Sequence, residues 1–153
     1  MTDARWKRFD HVSIAVKDAA SVMETWEQVL GVGPWTSIDL EGTDAKGRPW
    51  KAKEYRAEVG GVDIELIEPV EGRIVQSRFL DTVGPGLHHM SFTVEDVDAT
   101  LADLQEKGAE LIVHNPGIFA YLKTGGPDGL VVEISQDGFD GNRQPYEDSE
   151  STS

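Results

Sequence analysis

The chain contains no cysteine, which excludes disulfides, iron–sulfur clusters, cysteine-ligated zinc and thiol nucleophiles. It has no apolar run of about eighteen residues, so no helix is expected to cross a membrane. The opening segment 1–8 mixes charges with Trp6 and lacks an apolar stretch, so no secretory signal is read there. Positive charge is scarce: 14 Lys and Arg stand against 28 Asp and Glu, for a net charge of −14. A surface of that sign repels phosphate backbones and argues against nucleic acid as a partner. With 153 residues, 39% hydrophobic and 27% charged, the remainder reads as an ordinary soluble domain, expected in the cytoplasm. Residues 137–153 hold Asp137, Asp140, Glu147, Asp148 and Glu150 against Arg143, with only Phe139 and Tyr146 to bury. They read as an acidic flexible tail.

What is present is a repeat. Phe9-Asp10-His11-Val12-Ser13-Ile14-Ala15-Val16 matches Leu87-His88-His89-Met90-Ser91-Phe92-Thr93-Val94 at a constant offset that also pairs Asp18 with Asp96, Met23 with Leu101 and Trp26 with Leu104. Further on, Gly61-Val62-Asp63-Ile64-Glu65-Leu66 matches Gly129-Leu130-Val131-Val132-Glu133-Ile134 at a shorter offset, as if the second copy had a trimmed loop.

Each copy reads β-α-β-β-β. Residues 9–16 and 87–94 alternate as strands. Asp18 and Asp96 are expected N-caps for helices that Gly31 and Gly108 stop. Strands are expected near 34–40, 51–59 and 62–68 in the first copy, and near 109–113, 118–123 and 129–135 in the second. Gly60-Gly61 reads as a hairpin turn and 125–129 as a longer one. The organisation is thus an α+β domain over 9–136: module one (9–68), a linker (69–86) with a short helix near 74–80, and module two (87–136). The two tandem modules are expected to pair their sheets around a cleft.

The alternation sorts the polar residues. If Val12, Ile14 and Val16 pack on the helix, His11 and Ser13 face the other way, and Glu65 projects opposite Ile64 and Leu66. The second copy treats His89 and Glu133 identically and leaves His88 on the helix side or rim. Two imidazoles and two carboxylates would then share a cleft. Two buried carboxylates repel, and one divalent cation with His11, Glu65, His89 and Glu133 brings the net charge to zero. Imidazole with carboxylate suits Co, Ni, Mn, Zn or Fe.

These residues resemble the vicinal oxygen chelate superfamily of glyoxalases, bleomycin resistance proteins and dioxygenases, over roughly 9–136. Within it, His11-Val12-Ser13-Ile14-Ala15-Val16, Ile64-Glu65-Leu66-Ile67-Glu68-Pro69, Gly86-Leu87-His88-His89-Met90-Ser91-Phe92 and Gly129-Leu130-Val131-Val132-Glu133-Ile134 look most like methylmalonyl-CoA epimerases. The resemblance implies metal ligands at His11, His89 and Glu133, with Glu65 in the fourth place. It implies an epimerase or isomerase that abstracts a proton α to a carbonyl, acting on a 2-substituted acyl-CoA thioester. Glu133 is the expected base and Glu65 the second choice, and a homodimer is the expected assembly. The epimerases carry a partner acid in the approach to their third strand, where this sequence has Gly47-Arg48-Pro49-Trp50; Glu41, Asp44, Glu54 and Glu58 lie out of register unless the loop shifts. Lys51, Lys53, Arg56, Arg73, Arg78 and Lys123 are candidate phosphate contacts, and Trp35, Trp50 and Tyr55 either line a pocket or fill the core. The alternatives within the superfamily are a glyoxalase I-type lyase, a ketose epimerase and an extradiol dioxygenase. Outside catalysis, the alternative is a ligand-sequestering protein.

Overall fold

A computed structural model describes residues 1–125, 129–139 and 143–147. The elements run β1 (Trp6–Ala15), α1 (Ala19–Leu30), β2 (Thr36–Thr43), β3 (Pro49–Val59), β4 (Val62–Glu71), α2 (Val75–Thr82), β5 (Gly86–Val94), α3 (Val97–Glu106), β6 (Glu110–Asn115), β7 (Phe119–Lys123), β8 (Val131–Gln136) and β9 (Gln144–Pro145). This is the expected α+β architecture, rich in strand and poor in helix. No helix among the described residues is long and apolar enough to cross a membrane.

The chain forms two compact units, Met1–Val12 with His89–Asp140, and Ser13–His88 with Gly141–Ser153. The division cuts across the tandem repeats, because most of β1 groups with the strands of the second copy. Within the first unit the strand order is β6-β7-β8-β5-β1. Strand β5 runs parallel to β8, with Ser91 opposite Glu133, and β7 runs antiparallel to β8, with Tyr121 opposite Glu133. Helix α3 starts where the Asp96 carboxylate accepts from Ala99 N–H at 3.0 Å. It packs Val97 and Leu101 on Val94, Leu122 and Ile134.

The second unit has the order β1-β4-β3-β2-β9, of which β1 supplies its last residues. Asp18 caps α1 by accepting from Ser21 N–H at 3.1 Å, and Gly31 ends it in the left-handed conformation. The β3–β4 hairpin turns at Gly60-Gly61, both at positive φ, so the register runs from Val59 opposite Val62 to Arg56 opposite Glu65 and Glu54 opposite Ile67. Met23, Trp35, Tyr55 and Leu66 fill its core, which assigns Trp35 and Tyr55 to packing.

The tail expectation needs correcting for 143–147. Gln144 and Pro145 pair with Ser37 and Thr36 on the edge strand β2, and Tyr146 packs against the Tyr55 ring. A short tyrosine-bearing stretch covers an otherwise open sheet edge, a placement that composition does not reveal. Residues 126–128 of the expected 125–129 turn, and 140–142 and 148–153 of the expected tail, lie outside the described residues.

Candidate metal centre

In the first unit, strand pleating puts His11 on β1, His89 on β5 and Glu133 on β8, all buried. One ligand atom from each lies within 4.8 Å of the others. The His89 Nε2 sits 2.9 Å from Oε2 of Glu133, and the His11 Nε2 is 3.4 Å from the same oxygen. Behind His11, Asp10 Oδ2 is 2.8 Å from Nδ1. With Nδ1–H of His11 donating to Asp10, the Nε2 edge of the ring faces the Glu133 carboxylate, and a proton or a cation can bridge the two. The Tyr121 ring lies 4.8 Å from that of His89. Burial alone would raise the Glu133 carboxyl, but its hydrogen bonds to His11 and His89 and their charge outweigh this and hold it well below the usual carboxylate range. Two imidazoles, one ionised carboxylate and an orienting Asp10 form a donor set that fits a divalent transition metal.

The second unit treats its carboxylates differently. Glu65 is buried, accepts from Ser13 Oγ at 2.8 Å and from Arg56 Nη2 at 3.0 Å. Arg56 also reaches Glu54 at 3.2 Å, and Arg143 bonds the same Glu54 oxygen. Burial and the neighbouring Glu65 charge push the Glu54 carboxyl up to about 7, against the pull of Arg56 and Arg143.

A glyoxalase/bleomycin resistance protein/dioxygenase family description matches residues 10–122. The chain belongs to that superfamily. Among relatives of this glyoxalase-like chain is a Bacillus subtilis (strain 168) protein, the uncharacterized YqjC, 27% identical over 135 residues that span 84% of this chain and 91% of YqjC. Among solved structures, methylmalonyl-CoA epimerase from Mycobacterium tuberculosis superposes with a TM-score of 0.66 at 23% identity, covering 89% of this chain and 91% of that one. A variant of the Streptomyces coelicolor epimerase in complex with 2-nitronate-propionyl-CoA gives 0.66 at 21% identity, covering 88% and 99%. At these identities the likeness is one of fold.

In this glyoxalase-like chain, His11, His89 and Glu133 come together within one unit, while Glu65 stands in the other, held by Ser13 and Arg56. His88 is half-buried, with its ring 5.3 Å from that of Phe79. Among the candidate phosphate contacts, Arg56 is instead half-buried among carboxylates, Lys51 faces Glu71 at 3.5 Å and Arg73 bonds Asp81 at 2.7 Å. Asp10 and Tyr121 were absent from the candidate set. Asp10 is legible as an acid directly before a strand histidine, and Tyr121 as the residue that the β7–β8 register sets opposite Glu133. A cavity of about 560 Å³ in the first unit is lined by Trp6, Phe9, Phe92, Leu104, Leu122 and Val132 among others. None of His11, His89 and Glu133 lines it.

Proposed function

We propose that this protein is a divalent-metal-dependent enzyme that removes and returns a proton α to a carbonyl, with an acyl-CoA thioester of the methylmalonyl type as substrate. The observation that carries the reading is the buried grouping of His11, His89 and Glu133 within 4.8 Å, in a chain whose fold matches methylmalonyl-CoA epimerases. His11, His89 and Glu133 would hold the cation, and Asp10 fixes the His11 ring that presents Nε2 to it. When bound, the metal supplies Lewis-acid stabilisation of the oxygen charge that develops as the α-proton leaves.

The carboxylates then divide the remaining work. Glu133, whose carboxylate meets both histidine rings, is suited to holding a cation with them, and a carboxylate engaged in that way is less available as the base. Glu54 sits near neutrality, where a side chain both takes and gives a proton, and such groups contribute roughly 10²–10⁴ in rate. Of Glu41, Asp44, Glu54 and Glu58, Glu54 alone is buried, which makes it the candidate for the partner acid sought around Arg48. Glu65, expected as fourth ligand and second base, carries the Arg56 guanidinium, so its part in metal binding is a question for the Glu65→Gln variant.

The test is solvent exchange. Metal-loaded protein in D₂O is expected to put deuterium at C2 of methylmalonyl-CoA above the uncatalysed rate and to interconvert its epimers. His89→Ala should abolish both along with bound metal, and His88→Ala should retain both. Exchange with hemithioacetals alone moves the protein to the glyoxalase reading, and exchange with ketoses alone to a sugar epimerase. Tight ligand binding with no exchange in any of the three substrate classes would overturn the enzymatic reading in favour of sequestration.

A further inference from the structure

The segment 143–147 is tied to the second unit at four points. Gln144 and Pro145 pair with β2, the Tyr146 N–H donates to the Trp35 carbonyl at 2.9 Å, and the Tyr146 and Tyr55 rings meet edge-to-face with centroids 5.2 Å apart. The fourth tie is the Arg143 guanidinium on the Glu54 carboxylate, with the Arg143 side chain 14% exposed and that of Glu54 11%. Arg143 is the one cation within 137–153, and it is spent on a buried acid rather than left in solvent.

The charge balance explains why it matters. Arg56 touches Glu54 at 3.2 Å, Glu65 at 3.0 Å and the more exposed Asp63 at 3.7 Å, so without Arg143 the two buried carboxylates would share one guanidinium with a third acid. An unbalanced buried carboxylate neutralises or swings away from its neighbour. With Arg143 in place, the two buried carboxylates face two guanidinium groups, and Glu54 is held by both. We propose that Arg143 is a positioning residue: the 143–147 segment acts as a clasp that delivers its guanidinium to Glu54 and fixes where that carboxylate points. The clasp is then part of the working apparatus. This inference rests on the reading above that Glu54 exchanges the substrate proton.

Two independent readouts test it in the full chain. Carbodiimide-coupled amine labelling, read by mass spectrometry, should leave Glu54 protected in the wild type, expose it at least about tenfold more in Arg143→Gln, and leave it largely protected in Arg143→Lys. In α-proton exchange, Arg143→Gln should lower kcat by about tenfold or more with KM within about twofold, and Arg143→Lys should recover most of the loss. Because Arg143 acts through Glu54, adding Arg143→Gln to Glu54→Gln should change kcat by less than about twofold. Equal Glu54 labelling in wild type and Arg143→Gln overturns the proposal, as does a full Arg143→Gln defect in the Glu54→Gln background. If the wild type exchanges no substrate proton, the proposed function fails, and the labelling arm still decides whether Arg143 holds Glu54.

Discussion

Glu65 and Glu133 are the same residue of a duplicated module placed in two electrostatic settings. Each is buried in mid-strand, and each faces a residue on the preceding antiparallel strand. For Glu65 that residue is Arg56, and for Glu133 it is Tyr121. A guanidinium keeps its proton at all ordinary pH, so Arg56 satisfies Glu65 permanently. Tyr121 brings no guanidinium, and Glu133 meets the His11 and His89 rings instead, side chains of a type that can ligate a metal. The residue across the ladder differs, and Glu65 sits in an ion pair while Glu133 sits in a His/His/Glu group that could hold a cation.

Exchanging those partners is the sharpest way to break the comparison. Tyr121→Arg brings a permanent charge to Glu133 and should abolish binding of divalent metal measured by calorimetry, without loss of the circular dichroism of the fold. Next in size, Arg56→Met leaves Glu65 buried beside Glu54 with its main counter-charge gone. A loss of about 3–5 kcal/mol is expected, read from urea unfolding; a change under about 1 kcal/mol would mean the pair is not holding the second unit together. Asp10→Asn keeps the shape behind His11 but weakens the charge on Nδ1, and metal affinity should fall about 10–100-fold with little change in stability.

The smallest effect concerns pH. The Glu54 carboxyl titrates higher in the folded chain, at about 7, than the ordinary 4.5, so the folded state binds its proton more tightly. Its contribution to stability is complete below pH 4.5 and is lost as pH rises through about 7. Melting temperature should therefore fall more steeply across that window in the wild type than in Glu54→Gln; parallel slopes would remove Glu54 as the titrating group.

Much of the fold was legible because the signals were local. Asp18, Asp96 and Gly31 sit where the spacing put the helix ends, and Gly60-Gly61 turns the hairpin it announces. Strand alternation separated His11, Ser13 and Glu65 from their apolar neighbours for the same reason. The counter-charges were not legible, because they depend on register between strands. Nothing around Arg56 in the sequence says that it meets Glu65, so the sequence alone counts Glu65 among the carboxylates that a cation must neutralise. Arg143 and Tyr146 were hidden for a related reason: an acidic, serine-rich context masks a short stretch that docks by pairing with an edge strand.

If the cation belongs to the Glu133 member of the pair, titration with Co(II) reports it through the visible absorption of the bound ion. Wild type and Glu65→Gln should each develop ligand-field bands that saturate at about one Co(II) per chain, while Glu133→Gln should develop none. Loss of the bands in Glu65→Gln to the same extent as in Glu133→Gln would contradict the account.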